Sequence, residues 1–485
     1  MAFRATVRGE RYVFSDVVEL FAKAGEVKSG DLLAGVGALT DAERLAARGA
    51  LADVRLSEIV DNPLVEDVVT EIVMRGHSEF HFGAISSLTV GELRERVLAP
   101  DFAVLWHSGL SAAITPEVAA AVAKIMTDRE LAQAARPLRT VTRCRNTMGV
   151  PGVLGARVVA RRGGGDDLAA MLLSVVDGLL SACGDAVIGV DAARDSAAGL
   201  ARLATGFGAL LDALGLPAQT CLAAHPATQL AALEADAALD LLFVPLAGTE
   251  TANRRLGISV DLLVEGREAV LAARARRPGE FAGEEVLFAE TGQGCALAVD
   301  ANAGLDQLTC VARAQAMARA FRPFLVSSSV GAYGPDCLDG PRQIIRAGLE
   351  DYFVGTLQGL PMGSDIALSG YPDAEKNTVE DLLMLLAAAG CGFVTARPDR
   401  LDGTDRSSRP AFGAGYRDAA GVREMFGLRP APEFVAWMTE RGIWRDGHLA
   451  DPAAAVTASL ASGLDSALRD VARPGRRALE GGGPE

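Results

Sequence analysis

The sequence lacks the cysteine patterns that mark disulfide frameworks and zinc ribbons. Its seven cysteines are scattered along 485 residues, and no CxxC pair occurs among them. An odd number of unclustered cysteines predicts free thiols in a reducing compartment. We therefore expect a cytoplasmic location and no disulfide framework.

Basic charge and long apolar runs are also scarce. The formal net charge is −15, and no basic stripe offsets the acidic excess, which argues against a nucleic-acid partner. The N-terminus has no apolar signal segment, and no uninterrupted run of about 18 apolar residues predicts a membrane span. Hydrophobic residues nevertheless make up 49% of the chain, which is enough for a large buried core.

Two further motifs do not predict a site. His77 and His81 stand four residues apart, as on one helix face, but no third metal ligand is nearby, so we predict no metal site. The serine run from Ser327 to Ser329 lacks the GxSxG context of an esterase nucleophile.

Helix and turn signals dominate the first 135 residues. Gly9 lies between two short β-rich stretches and predicts a hairpin turn. Helix-start patterns follow at Thr40–Glu43, Thr115–Pro116 and Thr127–Glu130. This part of the chain therefore reads as a mostly helical region that opens with a hairpin.

Short β-rich segments alternate with helical patterns from about residue 150. The predicted strands are residues 154–159, 186–191, 220–225, 241–246, 286–290, 324–330, 364–369 and 391–396. Eight strand–helix repeats over this length predict an α/β fold of the (β/α)8 TIM-barrel type, with an open doubly wound sheet as the alternative. The predicted regions are 1–135 (helical, with the hairpin), 136–400 (barrel) and 401–485 (helical extension with a disordered tail).

Ionisable residues stand at or near the ends of several predicted strands. They are Arg157, Asp191, His225, Glu290 and Asp365. Catalytic groups of a barrel lie at the carboxyl ends of its strands, so we predict that these side chains surround one mouth. A mouth rich in carboxylates suits a cationic substrate such as an amine.

Five short strings of the sequence match one known family, and two of them, ETGQG and RQIIRAGLED, have a low probability of arising by chance. The five strings are SGDLLAGV (29–36), GDAVIGV (184–190), ETGQG (290–294), RQIIRAGLED (342–351) and LRPAPEF (428–434). In these strings, and from the N-terminal hairpin to about Ile443, the chain resembles the large, catalytic subunit of ethanolamine ammonia-lyase. That family has the (β/α)8 barrel with an N-terminal helical region.

The resemblance implies radical chemistry with adenosylcobalamin. Homolysis of the cobalt–carbon bond leads to hydrogen abstraction from an amino alcohol, and the products are an aldehyde and ammonia. The resemblance also implies a separate small subunit that holds much of the corrinoid, and an oligomer of large subunits. This chain has no DxHxxG corrinoid-binding signature of its own.

The resemblance assigns roles to three residues that are present here. Glu290 of ETGQG is expected to contact the amine and hydroxyl region of the substrate, and Asp365 to bind the ammonium. Arg157 is expected to interact with the migrating nitrogen or with the polarised intermediate. The glycines that follow Glu290 are expected to let the backbone approach the cofactor closely.

Other positions depart from the family pattern. Val159 stands where the family has a substrate-binding glutamine, and Asp191 where it has an asparagine. On the cofactor side, Ala192 replaces a proline, Val244 belongs to a pair that replaces Gln-Ser, and Ala298 replaces a serine.

Three hypotheses follow from these departures. The chain is an ethanolamine ammonia-lyase that tolerates them, or a paralogue with the same machinery for a bulkier or dicationic amine, or a non-catalytic amine-binding barrel. The changes at Val159 and Asp191 favour the paralogue, because both touch the expected substrate shell. Association with a microcompartment is an alternative to a free cytoplasmic location.

Overall fold

The computed structural model describes most of the chain with side chains. The described residues are 2–160, 167–191, 195–277, 279–369, 371, 376–398, 411–450 and 456–472.

The N-terminal region is helical after an opening hairpin, as predicted. Strands β1 (Phe3–Val7) and β2 (Glu10–Phe14) pair antiparallel around Gly9, whose φ of 84° suits a residue without Cβ. The helices are α1 Val17–Ala24, α2 Ser29–Leu33, α3 Asp41–Ala52, α4 Leu56–Asp61, α5 Val68–Arg75, α6 Glu79–Phe82, α7 Val90–Val97, α8 Phe102–His107, a 3₁₀ turn Leu110–Ala113, α9 Pro116–Lys124 and α10 Asp128–Ala135.

The predicted helix starts are confirmed. Thr127 accepts a hydrogen bond from the Glu130 N–H, and the Glu130 carboxylate accepts one from the Thr127 N–H, which forms a capping box at α10. Helix α9 is buried along its whole length, so it belongs to the core rather than to the surface. A short hairpin, β3 (Thr142–Arg143) and β4 (Thr147–Met148), then leads into the barrel.

Eight parallel strands form a nearly closed barrel, which confirms the predicted fold class. They are β5 Gly155–Val159, β6 Val187–Asp191, β7 Thr220–Ala223, β8 Leu242–Pro245, β9 Leu287–Thr291, β10 Leu325–Val330, β11 Met362–Ser369 and β12 Phe393–Ala396. The hydrogen-bonded order is β7-β6-β5-β12-β11-β10-β9-β8, so β12 returns to pair with β5. Strands β7 and β8 lie side by side without ladder hydrogen bonds between them in the described chain.

Helices surround the strands. They are α11 Leu168–Leu180, α12 Ala197–Leu214, α13 Pro226–Glu234, α14 Glu250–Arg255, α15 Val260–Ala275, α16 Cys295–Ala298, α17 Gln307–Ala320, α18 Gly340–Leu357 and α19 Lys376–Ala389. In the described chain, α12 alone is long and apolar enough to cross a membrane. One face of α12 packs on the barrel strand β7 and on α11 and α13.

The C-terminal part packs back onto the barrel. It contains β13 Ala411–Gly413, α20 Tyr416–Phe426, α21 Pro432–Glu440, β14 Trp444–Arg445, β15 His448–Leu449 and α22 Val456–Ala472. Strand β13 extends the sheet antiparallel to β11, and α22 packs on α12. Arg423 of α20 forms a buried ion pair with Asp185 at 2.8 Å, which fixes this part to the amino-terminal end of β6.

Alternation along the strands decides which side chains enter the barrel. Phe243, Phe288 and Phe393 lie on the inner face, where ring centroids of neighbours are 6.0 to 6.4 Å apart. Residues two positions further along β9 and β12 share that face, so Glu290 and Thr395 lie above this aromatic layer. The apolar layer forms a floor, and the carboxyl ends of the strands form the opening.

Candidate active site

Arg157 is at the centre of a charged cluster inside the barrel. Its guanidinium lies over the Phe288 ring at 4.7 Å, and the side chain is only 1% exposed. Its Nη1 atom is 3.8 Å from Glu290 Oε2 and 3.9 Å from Asp365 Oδ2. The three residues predicted to be catalytic are therefore brought together. Both distances exceed those of direct hydrogen bonds, so the guanidinium attracts these carboxylates without clamping them.

Asp365 is held more tightly by a residue that the sequence analysis did not identify. Arg397 follows β12 and binds both carboxylate oxygens of Asp365, with Nη1–Oδ1 at 2.5 Å and Nη2–Oδ2 at 2.8 Å. Burial works to raise the pKa of Asp365, but the guanidinium groups of Arg397 and Arg157 outweigh it and lower the pKa. Asp365 is therefore ionised, and Arg397 fixes its orientation.

Glu290 is the more accessible carboxylate of the cluster. Its side chain is 30% exposed, compared with 6% for Asp365. Cys295 and Tyr333 lie next to it: burial raises the pKa of the Cys295 thiol, a hydrogen bond with Tyr333 opposes that shift, and the charge of Glu290 adds to it. Of the two carboxylates, Glu290 is thus the one that a ligand entering the mouth reaches.

Two buried hydroxyl groups accompany the charges. Ser327 is in register with Glu290, and Thr395 is in register with Arg157, so both share the inner face of the barrel. Both residues are fully buried, and within the described part of the chain their hydroxyl oxygens have no hydrogen-bond partner. Buried polar groups are normally satisfied, so these hydroxyls point to a bound polar molecule or water.

The turn after Glu290 is packed against protein. A Cβ on Gly292 would lie 2.6 Å from the carbonyl oxygen of Ser329. Gly294 has a φ of 97°, and a Cβ there would lie 2.8 Å from Cys337 Sγ. Intramolecular packing and backbone conformation thus require both glycines, so the expectation that they serve approach to a cofactor is not needed to explain them.

Gln293, between these glycines, anchors the turn to α18. Its amide Nε2 donates to Asp351 Oδ1 at 2.7 Å, and the Ser328 hydroxyl donates to Asp351 Oδ2. Burial raises the pKa of Asp351 to about 7, although both hydrogen bonds oppose the shift. Ser328 therefore faces the helix layer, whereas its neighbour Ser327 faces the barrel interior.

The next residue along α18 anchors the N-terminal region. Glu350 forms an ion pair with Lys28 at 2.9 Å and accepts a hydrogen bond from Arg346 at 2.7 Å, and all three side chains are buried. Burial works to raise the pKa of Glu350, but the two cations outweigh it and lower the pKa to about 2. Gln343 Oε1 also accepts from the Ser29 N–H at 2.9 Å. The strings SGDLLAGV, ETGQG and RQIIRAGLED are thus joined through one helix.

The other predicted residues divide between the inner face of the barrel and its surroundings. Val159 is buried and shares the inner face with Arg157. Val244 is fully buried on the opposite face of β8 from Phe243, so it lies outside the cluster. Ala298 is exposed at the end of α16. Their assignment to a cofactor stays a prediction.

Three further positions complete the predicted set. Asp191 ends β6, in register with Ala223, but its side chain lies outside the described part, as does Ala192 entirely. His225 acts as the N-cap of α13: its Nδ1 accepts from the Ala227 N–H at 3.2 Å. The described residues contain no group of three or more side chains that could hold a metal ion.

A cavity of about 730 Å³ lies elsewhere, beside α20 and the β14–β15 hairpin. Its lining includes Leu180, the last residue of α11, and Ser181 and Ala182, which lie between α11 and β6. The cavity therefore lies at the amino-terminal end of the barrel strands. In TIM barrels, residues at this end contribute to stability, and catalytic residues lie at the opposite end. The charged cluster is therefore the better candidate for an active site.

Comparisons with known proteins agree with the resemblance seen in the sequence. The family model described as "Ethanolamine ammonia lyase large subunit (EutB)" matches residues 12–452. The curated ethanolamine ammonia-lyase large subunits of Escherichia coli (strain K12) and Salmonella typhimurium (strain LT2) are each 37% identical over 452 residues. Each alignment covers 93% of this chain and 98% of the relative. With its barrel and its arginine–carboxylate cluster, the chain belongs to the ethanolamine ammonia-lyase large subunit family, a family of lyases.

Proposed function

We propose that this chain is the catalytic subunit of an adenosylcobalamin-dependent ammonia-lyase that converts a small amino alcohol into an aldehyde and ammonia. One observation carries the assignment of the site. A buried guanidinium lies between two carboxylates at 3.8 and 3.9 Å, beside two buried hydroxyls without partners in the described chain. A ligand with both an ammonium and a hydroxyl group would complete this arrangement.

The site residues fit the cofactor that the family resemblance implies. Ser327 and Thr395 present hydroxyls that suit either the ribose of a deoxyadenosyl group or the hydroxyl of an amino alcohol. The chemistry that adenosylcobalamin supplies when bound is hydrogen abstraction from the carbinol carbon, after homolysis of its cobalt–carbon bond. The aromatic floor and the strand wall exclude water from the interior, which limits side reactions.

The residues of this chain bind and orient the substrate. Glu290 is the accessible carboxylate, so it accepts hydrogen bonds from the ammonium group. Arg157, held over Phe288, donates to the substrate oxygen and stabilises the negative charge that develops on it. Asp365 restrains Arg157 from the other side.

Val159 adjusts the substrate range. It is buried on the same face as Arg157, where the family pattern has a glutamine. A valine cannot hydrogen-bond the substrate, but it offers apolar contact and space for an extra carbon. We therefore propose that the preferred substrate is an amino alcohol bulkier than ethanolamine.

The partners follow the names of the relatives. The matched proteins are called large subunits, so we propose that this chain works with a small subunit. An oligomer of large subunits, which the family resemblance implies, is part of the same proposal. A cytoplasmic location completes the proposal.

Anaerobic turnover tests the function. The chain, a small subunit of the family and adenosylcobalamin are incubated with ethanolamine and 2-amino-1-butanol, and aldehyde and ammonia are measured. We expect cofactor-dependent turnover, and we expect Glu290→Gln to lower kcat/KM by roughly 10²- to 10⁴-fold without loss of folding. Glu284→Gln, at an exposed residue, is the control. Absence of turnover with every amino alcohol, in a folded complex, contradicts the proposal.

A further inference from the structure

The turn after Glu290 has a single side chain with which to hold its place. Of residues 292–294, two are glycines, so Gln293 alone can contribute a side-chain contact. The Gln293 side chain is buried, and its Nε2 atom donates to Asp351 Oδ1 at 2.7 Å. The other two acceptors of this amide lie at 3.4 and 3.5 Å. The bond to Asp351 is therefore the short link between the turn and α18.

Asp351 also holds the neighbouring strand. The Ser328 hydroxyl donates to Asp351 Oδ2, so the two oxygens of one carboxyl group bind the turn and β10 respectively. Ser328 is adjacent to Ser327, which faces the barrel interior in register with Glu290. Asp351 thus lies behind the wall of the site and joins the two segments that present Glu290 and Ser327.

The carboxyl group of Asp351 is itself firmly held, which a positioning group requires. Its side chain is buried, and Gln315 of α17 donates to its backbone carbonyl oxygen at 3.1 Å. The preceding residue, Glu350, is fixed by its ion pairs with Lys28 and Arg346. Asp351 is therefore a rigid point to which the turn and the strand are tied.

The turn needs such an anchor because it leaves the sheet. The ladder between β9 and β10 extends as far as the pair of Thr291 and Ser328. At the end of the turn, burial and then the charge of Glu290 raise the pKa of the Cys295 thiol, so this thiol lies within the electrostatic reach of Glu290. A movement of the turn would change the surroundings of Glu290, and a misplacement of about 1 Å can cost roughly a hundredfold in rate.

From these contacts, and resting on the proposed function, we infer that Asp351 is a positioning residue that directs the Glu290 carboxylate toward the substrate amine. It acts through Gln293 of the turn and Ser328 of β10, and its own side chain faces the helix layer. This role goes beyond anchoring the fold, because the effect of Asp351 on catalysis then passes through Glu290.

Four variants separate positioning from general stability. Asp351→Ala removes both hydrogen bonds, and Gln293→Leu breaks the same link from the turn. Burial raises the pKa of Asp351 to about 7, so a neutral group of the same shape suits the site. Asp351→Asn still accepts from Gln293 and can donate to the Ser328 hydroxyl oxygen, so it should behave as wild type. Gln358→Leu is the matched control, since this buried C-cap of the same helix donates to two backbone carbonyl oxygens away from the turn.

The first measurement reports the turn without any turnover. The purified full-length chain is treated with iodoacetamide, and the alkylation rate of each cysteine is followed by peptide mass spectrometry. We expect Asp351→Ala and Gln293→Leu to react at Cys295 roughly tenfold faster than wild type, because a released turn exposes this buried thiol. Asp351→Asn and Gln358→Leu should match wild type. Cys144, between β3 and β4, reports global opening in every sample.

The second measurement is a double-mutant cycle with Glu290. For the complex of this chain, a small subunit and adenosylcobalamin, kcat/KM and the calorimetric affinity for 2-amino-1-butanol are determined. We expect Asp351→Ala to lower kcat/KM roughly ten- to hundredfold in the wild type, and less than about twofold when Glu290→Gln is already present. The affinity should follow the same pattern. A residue that only stabilises the fold would act equally in both backgrounds.

Two results overturn the inference: wild-type alkylation of Cys295 in folded Asp351→Ala, or equal losses with and without Glu290→Gln. If Asp351→Ala does not fold, Gln293→Leu supplies both measurements. A wild type that binds the amine without converting it would defeat the proposed function, and the cycle of affinities would still decide on Asp351. A wild type that does not bind the amine contradicts both.

Discussion

Arg157 inside the barrel and Glu350 between α18 and the N-terminal region differ in how close the neighbouring opposite charges lie. Arg157 lies 3.8 Å from Glu290 and 3.9 Å from Asp365, whereas Glu350 lies 2.9 Å from Lys28 and 2.7 Å from Arg346. The barrel cluster also contains hydroxyls without partners in the described chain, while Asp351 next to Glu350 receives hydrogen bonds on both oxygens.

This difference distinguishes a binding site from a scaffold. In a buried ion pair at direct hydrogen-bond distance, each charge is already neutralised by its partner. Such pairs hold structural elements together and leave no unpaired charge for a ligand to bind. Charges held just beyond that distance, beside unsatisfied hydroxyls, still gain free energy when a polar ligand enters. Adjacent serines show the contrast: Ser328 serves the scaffold, and Ser327 faces the site.

Glu350→Ala should break the scaffold. It leaves the Lys28 ammonium buried without its carboxylate, which typically costs about 3–5 kcal/mol of unfolding free energy. Denaturant unfolding of the isolated chain measures this loss. The double change Lys28→Met with Glu350→Met should recover part of it, and Glu71→Ala in an exposed pair should cost less than about 1 kcal/mol. Equal losses for Glu350→Ala and Glu71→Ala would remove the distinction between the two kinds of pair.

Asp351→Asn should change how stability depends on pH. Asp351 has a pKa of about 7 in the folded chain and about 3.9 when unfolded, so between these values the folded state binds a proton that the unfolded state has lost. The contribution of Asp351 to the free energy of unfolding therefore decreases as pH rises from about 4 to 7. Above pH 7 this contribution is constant. Asparagine resembles the protonated acid and does not titrate.

The measurement is the difference in unfolding free energy between Asp351→Asn and wild type at pH 5 and pH 8. We expect the variant to gain on the wild type by about 3 kcal/mol between these two pH values, because about two pKa units of the window lie above pH 5. Asp31, whose pKa burial also raises to about 7, is present in both proteins, so its own titration cancels to first order. Parallel pH profiles would show that Asp351 keeps an ordinary pKa.

A serine pair gives the smallest and sharpest test. Ser328→Ala removes a donor to Asp351 and should lower the unfolding free energy by about 1–3 kcal/mol. Ser327→Ala removes a hydroxyl that has no partner in the described chain, so stability should change by less than about 0.5 kcal/mol, while kcat/KM falls roughly tenfold. A Ser327→Ala enzyme with full activity would show that this hydroxyl does not contact the substrate.

The fold was largely predictable because it depends on local signals. All eight barrel strands lie within two residues of the predicted bounds at each end. The pairing of β12 with β5, which nearly closes the barrel, could not be predicted from the sequence. It depends on contacts between residues more than 200 positions apart. Capping pairs such as Thr127 and Glu130 were visible because both partners lie within one helical turn.

The site was predictable only in part. Glu290 was found because it stands at the end of a strand and begins the string ETGQG. Arg157 and Asp365 were found because they stand in or near the end of strands and because the family resemblance assigns them roles. Arg397 follows β12 by one residue, and the same strand-end rule points to it, but the family resemblance assigns it no role. Strand alternation shows that neighbouring serines face opposite sides of the sheet, but it does not show which of them faces the barrel interior. The inward orientation of Ser327 could be assigned only from its register with Glu290 in the structure.

Helix α18 has a consequence for building chimeric subunits. Within two turns it carries Glu350, which holds the segment at Lys28, and Asp351, which holds the turn after Glu290. A transplanted N-terminal region therefore needs a compatible α18, and a compatible α18 in turn dictates the turn that presents Glu290. The three segments form a single unit of exchange although the N-terminal segment lies more than 250 residues before the other two, so crossover points placed between them are expected to yield inactive hybrids.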